Sequence, residues 1–184
     1  QEKPVTYFLL SHFDESEVEY PNNLSELKTA KIKERPPPNP HQLEAVNDIE
    51  NGFNKSDRGQ LISACGTGKT YTSVWVKERL SAKTTLVLVP SLSLLSQTLR
   101  EWTFIRKKPF DVLCVCSDQS VGKAKDDDAL IQSIKDVSFP VTTKVQEIDQ
   151  FLGSKRDKVI FSTYQSSPLI AEAQSNSNNP TFDL

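Results

Sequence analysis

The stretch SACGTGKTYTSV, Ser63 to Val74, lies between the apolar run Gln60-Leu61-Ile62 and a segment with helical spacing. A glycine-rich turn that leaves a strand and opens a helix presents several backbone amides to an anion, together with the helix end, worth about half a unit of positive charge. Gly66 and Gly68 allow the backbone to wrap closely, Lys69 is placed to reach the outer phosphates of a nucleotide, and the Thr70 hydroxyl is placed to ligate Mg²⁺. The general GxxxxGK(S/T) pattern asks for glycine where this chain has Ser63.

Outward from that turn, apolar runs that read as strands alternate with helical segments. Upstream, Arg35-Pro36-Pro37-Pro38-Asn39-Pro40 cannot be helix or central strand, because proline lacks the amide donor and restrains its predecessor, so it marks a boundary. After it Leu43, Val46, Ile49 and Phe53 recur at helical spacing, with Asn39 as N-cap and Pro40 at the first helical position. Downstream the expected order is strand 60–63, helix 71–82, strand 84–89, helix 91–105, strand 110–117, helix 129–135, helix 144–152, strand 158–162 and helix 168–174, with a further strand starting at 181–184. Val-, Leu- and Ile-rich strands alternating with helices are the pattern of a parallel sheet covered on both faces. The segment before the boundary has a strand-like start at 5–10, clustered acids Asp14, Glu15 and Glu17, and a short helical candidate at 24–33, with no chemistry legible in it.

A chain of 184 residues, 36% apolar and 25% charged, suffices for one buried α/β core and a small appendage. Its 22 basic and 24 acidic residues leave a net charge of −2, so any nucleic-acid contact must be local. Arg100, Arg106, Lys107 and Lys108 form the clearest basic cluster. Three cysteines, Cys65, Cys114 and Cys116, make no even disulfide framework and no zinc spacing, which suits reduced thiols in a cytoplasmic protein. The apolar runs are too short to span a bilayer, and the start at Gln1 with no methionine anywhere reads as a piece of something longer.

The string ACGTGKT, with Pro-His-Gln at 40–42 before it and Val-Pro-Ser-Leu-Ser-Leu-Leu-Ser-Gln at 89–97 after it, resembles the first motor domain of a superfamily 2 helicase or translocase. Within that superfamily, Arg58-Gly59-Gln60-Leu61, Ser91 to Trp102, Val115 to Asp118, Phe139 to Thr143 and Phe161 to Ser166 resemble the helicase-like motor of type ISP, single-chain type I restriction-modification enzymes. The resemblance covers about residues 36–184, leaving 1–35 as an extension or the end of a preceding domain. It implies a three-layer, RecA-like P-loop NTPase domain with a mainly parallel sheet, incomplete at its C-terminal end.

It further implies ATP and Mg²⁺ as cofactors, with Lys69 and Thr70 in the catalytic role and Gln42, Cys65, Gly66, Thr67, Gly68, Lys69, Thr70 and Tyr71 around the nucleotide. Gln42 would read adenine through an amide that both donates and accepts; equally, Asn39 followed by Gln42 three places on is a capping box, and both readings stay open. His41 reads as a helix-start residue. DNA, in duplex form and gripped mainly through its phosphates, would meet Pro90, Ser91, Gln97, Thr142 or Thr143, and Thr163 with Tyr164 and Gln165. Loop polarity alone accounts equally for these residue types.

Motors of this family also need a strand ending in Asp-Glu and an arginine from a second motor domain, the implied partner. Neither is found in the chain, and the acidic strand is expected directly after Phe182-Asp183-Leu184. Two other readings accommodate the loop. One is a compact kinase or nucleotide hydrolase using Asp118 for its metal; the other is a catalytically silent nucleotide-binding domain.

Overall fold

The computed structural model describes residues 35–116, 139–175 and 179–184. The elements expected at 5–10, 24–33 and 129–135, the acidic cluster at 14–17, and Asp118 lie outside the described residues. The chain divides into two compact units, Gln1–Pro37 and Pro38–Leu184, and every element named below belongs to the second.

Helix α1 spans Pro40–Phe53, with Asn39 as its N-cap and proline at its start, as the local sequence predicts. Helix α2, Lys69–Arg79, springs directly from Gly68. It ends where Ser81 takes a left-handed φ of 54° and the Lys77 ammonium donates to the Ala82 carbonyl at 2.7 Å, turning the chain into strand β1, Thr84–Val89. Helix α3, Leu92–Ile105, is capped by the Ser91 hydroxyl, which accepts from the Leu94 amide at 3.3 Å. Then follow β2 at Asp111–Val115, a two-residue β3 at Val141–Thr142, α4 at Val145–Leu152, β4 at Lys158–Thr163, a 3₁₀ turn at Tyr164–Ser166 and α5 at Ser167–Gln174.

The four strands form one parallel sheet in the order β1-β4-β2-β3, with Leu86 opposite Ile160 and Val112 opposite Val159. Alternation along the strands sorts side chains to two faces. Val89, Cys114, Val159 and Phe161 pack under α1, α2 and α3, while Leu113, Val115 and Ile160 pack under α4 and α5. The result is three layers with two cores. Trp102 anchors the first core, edge-on to Phe161 at 5.5 Å with its indole N–H donating to Ser73 Oγ at 3.1 Å. Burial of each such large side chain contributes roughly 1.5–3 kcal/mol.

One expected strand is absent. Residues Gln60–Ser63 belong to no regular element, and Ile62 is 84% exposed. A strand requires a neighbour within about 5 Å to receive its ladder bonds. Here a cavity of about 880 Å³ separates this segment from β1, lined by Leu61, Ile62, Thr85, Leu86, Val87 and Leu184 among others. The Thr85 hydroxyl is buried with no hydrogen-bond partner. Residues 181–184 run beside the outer edge of β1 without forming a regular strand. The Asp183 carboxylate accepts from the Lys83 and Thr84 amides at 2.8 Å each, and the Leu86 amide donates to the Leu184 carbonyl at 2.9 Å.

Candidate nucleotide site and strand-end surface

Helix α2 runs against the strand direction. Its last turn meets the amino ends of the strands, where the Lys107 amide donates to Glu78 Oε1 at 2.6 Å. Its first turn, and the loop 63–68 before it, therefore sit at the carboxyl ends, where open α/β sheets bind ligands. Gly66 and Gly68 adopt φ of 76° and 77°, a region that penalises any side chain. At Gly68 a methyl group would also run into Gln42 Nε2.

The Lys69 ammonium donates to the carbonyls of Ala64 at 2.8 Å and Ser63 at 3.3 Å, and it has no carboxylate partner among the described residues. It is exposed and held only by these neutral carbonyl oxygens among the described residues. Thr70 is half-buried, and its hydroxyl has no partner among the described residues. Cys65 is exposed on the loop.

Gln42 is buried, and both of its amide protons are used, by the Thr67 carbonyl and, at 3.4 Å, by the Gly68 carbonyl. Its Oε1 accepts from the Asn39 amide at 2.8 Å, the bond expected of a capping box, and its Nε2 donates to the Thr67 carbonyl at 3.0 Å. His41 also reaches this carbonyl, Nε2 to oxygen 3.1 Å, a contact that its place in the sequence does not reveal. Since a carbonyl only accepts, that nitrogen carries the proton. Tyr71 turns into the first core, edge-on to Trp75 at 6.2 Å, and burial with nearby Glu101 pushes its phenol above the ordinary tyrosine range.

The DNA-contact candidates gather at the same end of the sheet, since Pro90 and Tyr164 directly follow the paired residues Val89 and Thr163. Several have internal duties. Ser91 caps α3, and Gln97 donates to Glu101 at 2.8 Å. Thr142 is buried, donating to Glu147 at 2.5 Å and accepting from the Lys144 amide at 3.0 Å. Thr163 is buried against Ser166 at 3.3 Å. Tyr164, 56% exposed, lies beside exposed Pro90 and Gln165, while exposed Thr143 follows β3 at the far edge of the sheet. The basic cluster is split from this surface. Lys107 and Lys108 lie at the opposite, amino end of the strands, and the Arg106 guanidinium covers the Phe110 ring at 5.4 Å.

Residues 35–183 match the family described as Type III restriction enzyme, res subunit. The chain belongs to this family. As a res-subunit domain it has the helicase-like, RecA-like α/β/α motor architecture, and it is similar to the helicase region of two solved type ISP restriction-modification enzymes. One, the ATP-dependent enzyme LlaBIII bound to DNA, is 31% identical with a TM-score of 0.75, over 91% of this chain and 11% of its own. The other, a nuclease-deletion mutant of LlaGI in complex with a DNA substrate mimic, is 34% identical with a TM-score of 0.60, over 83% of this chain and 14% of its own. The res-subunit domain thus spans only a small part of the solved enzymes it resembles. No curated protein matches it. Among the described residues no helix is long and apolar enough to cross a membrane, and no group of three His, Cys, Asp or Glu residues is placed to hold a metal.

Proposed function

We propose that residues from about 36 onward bind ATP with Mg²⁺ and act as the first motor domain of a cytoplasmic DNA translocase or helicase in a restriction-modification system. The observation that carries this reading is the Lys69 ammonium, free of any carboxylate among the described residues, at the head of α2 beside two left-handed glycines. That arrangement offers fixed amide dipoles and a point charge to a triphosphate without first breaking an ion pair. The type ISP relatives, one ATP-dependent and both captured with DNA or its mimic, support both ligands.

Among the described residues the Thr70 hydroxyl is the group suited to Mg²⁺, whose other ligands would be phosphate oxygens and water. Held there, Mg²⁺ would supply neutralisation of charge on the β- and γ-phosphates. Gln42 and the loop hold the nucleotide, and Thr143, Tyr164 and Pro90 are the surface best placed for DNA phosphates and sugars. The cleft between β1 and Gln60–Ser63 suits one more strand from outside residues 38–184, bearing the acidic pair that the family's chemistry needs. On this reading residues 1–184 bind nucleotide weakly and turn it over negligibly without that strand and a second motor domain.

Titration of residues 1–184 with fluorescent MgADP tests the cradle. Lys69→Ala should abolish binding while leaving the melting temperature near wild type, and unchanged affinity would exclude the loop as the phosphate site. Steady DNA-stimulated hydrolysis by residues 1–184 alone would contradict that requirement.

A further inference from the structure

Ser63 stands where the general phosphate-loop pattern has glycine, and its hydroxyl has a defined task. Ser63 Oγ lies 2.6 Å from Thr67 Oγ1, and Thr67 Oγ1 in turn donates to the Ala64 carbonyl at 2.8 Å. Thr67 has one hydroxyl proton, and it is committed to Ala64, so Ser63 is the donor in the first bond. The chain Ser63 to Thr67 to Ala64 ends on the same carbonyl that receives the Lys69 ammonium at 2.8 Å. We propose that Ser63 is a positioning residue that closes a hydroxyl clasp across the mouth of the loop and fixes the cradle before nucleotide arrives.

The need for such a clasp follows from the backbone. Thr67 sits between Gly66 and Gly68, both left-handed and both conformationally permissive, so its peptide is the part of the loop least restrained by sterics. Its carbonyl is tied to Gln42 at 3.0 Å and to His41 at 3.1 Å, and its hydroxyl is tied by the clasp. With both ends of the residue held, the flanking amides keep the directions an anion needs, and less ordering remains to be done on binding. The loss of glycine at position 63 is thereby turned into rigidity.

The nucleotide consequence rests on the function proposed above; the rigidity does not, and the test separates the two. In nucleotide-free residues 1–184, Ser63→Ala and Thr67→Val should raise amide exchange across 64–70, while Ser63→Thr and Thr67→Ser, which keep the hydroxyls, should not. For MgADP, each hydroxyl-deleting variant should weaken affinity about threefold to tenfold, the effect of one net hydrogen bond. The double variant should be no weaker than Thr67→Val alone, because that variant already lacks both bonds of the clasp. Wild-type exchange in Ser63→Ala, or additive losses in the double variant, overturns the clasp. If wild-type protein binds no MgADP, the nucleotide reading falls, and the exchange comparison still decides the clasp.

Discussion

Gln42 Nε2 donates to the carbonyl oxygen of Thr67 across 3.0 Å, joining the first turn of α1 to the loop 63–68. The same amide's oxygen is held by the Asn39 amide, so both halves of the side chain are engaged. Its Nε2 also donates to the Gly68 carbonyl at 3.4 Å, so donation to adenine would take an amide proton from the loop and couple the base to it. Gln42→Ala should therefore lower stability by about 2 kcal/mol, the sum of two net hydrogen bonds. It should also erode preference for ATP over GTP by about threefold to tenfold in competition titration. Loss of stability with unchanged base preference would assign Gln42 to the loop and cap alone.

Substitution of the two left-handed glycines should have unequal effects. Gly66→Ala meets no atom within 4 Å, so it bears only the cost of φ 76°, about 1–2 kcal/mol. Gly68→Ala bears the same cost at φ 77° and also displaces the Gln42 amide, losing roughly another 1–2 kcal/mol of hydrogen bonding. Urea unfolding should rank wild type above Gly66→Ala and Gly66→Ala above Gly68→Ala; the reverse order for the two variants would contradict the packing of Gln42 on Gly68.

Elements decided by near neighbours in the chain were legible in the sequence. The α1 start needs only Asn39, Pro40 and Gln42, the loop needs only its glycines and lysine, and β4 shows itself as an apolar run bounded by polar loops. What was not legible depends on distant partners. Gln60–Ser63 has strand composition, but composition supplies no neighbour to pair with. The His41 contact to Thr67 spans 26 positions, and β3 has only two residues, too few for any periodicity. Thr142 reads as a polar loop residue until the fold sets its hydroxyl between Lys144 and Glu147. Lys107 and Lys108 were legible as charge but not as to which end of the sheet would carry them.

The cysteines should separate cleanly by reactivity. Cys65 is exposed on the loop, whereas Cys114 and Cys116 are buried in the sheet. A disulfide reagent should titrate one thiol rapidly in the native protein and all three after denaturation. A bulky adduct at Cys65 crowds the cradle, so modification should abolish MgADP binding, and saturating MgADP should slow it at least tenfold. Equal rates with and without nucleotide would place the phosphate chain elsewhere.

Cys114 makes stability fall at alkaline pH. Burial, reinforced by Cys116, pushes its thiol from 9.0 up to about 12. Between those values the unfolded chain releases the proton while the folded chain keeps it, so the folded state binds more protons and stability declines as pH rises. The slope from this group approaches about 1.4 kcal/mol per pH unit inside the window. Lys77 and Lys158, lowered by burial, act with the opposite sign: below the ordinary lysine value the unfolded chain holds the extra proton, so stability grows as pH rises there. Wild-type protein therefore sums competing slopes, and the difference from Cys114→Ala isolates one of them. Denaturant midpoints from pH 8 to 11 should show the variant less stable at pH 8, from the cavity it leaves, with the gap narrowing steadily above pH 9. A gap constant across that range would mean that Cys114 ionises as readily in the folded protein as in the unfolded chain.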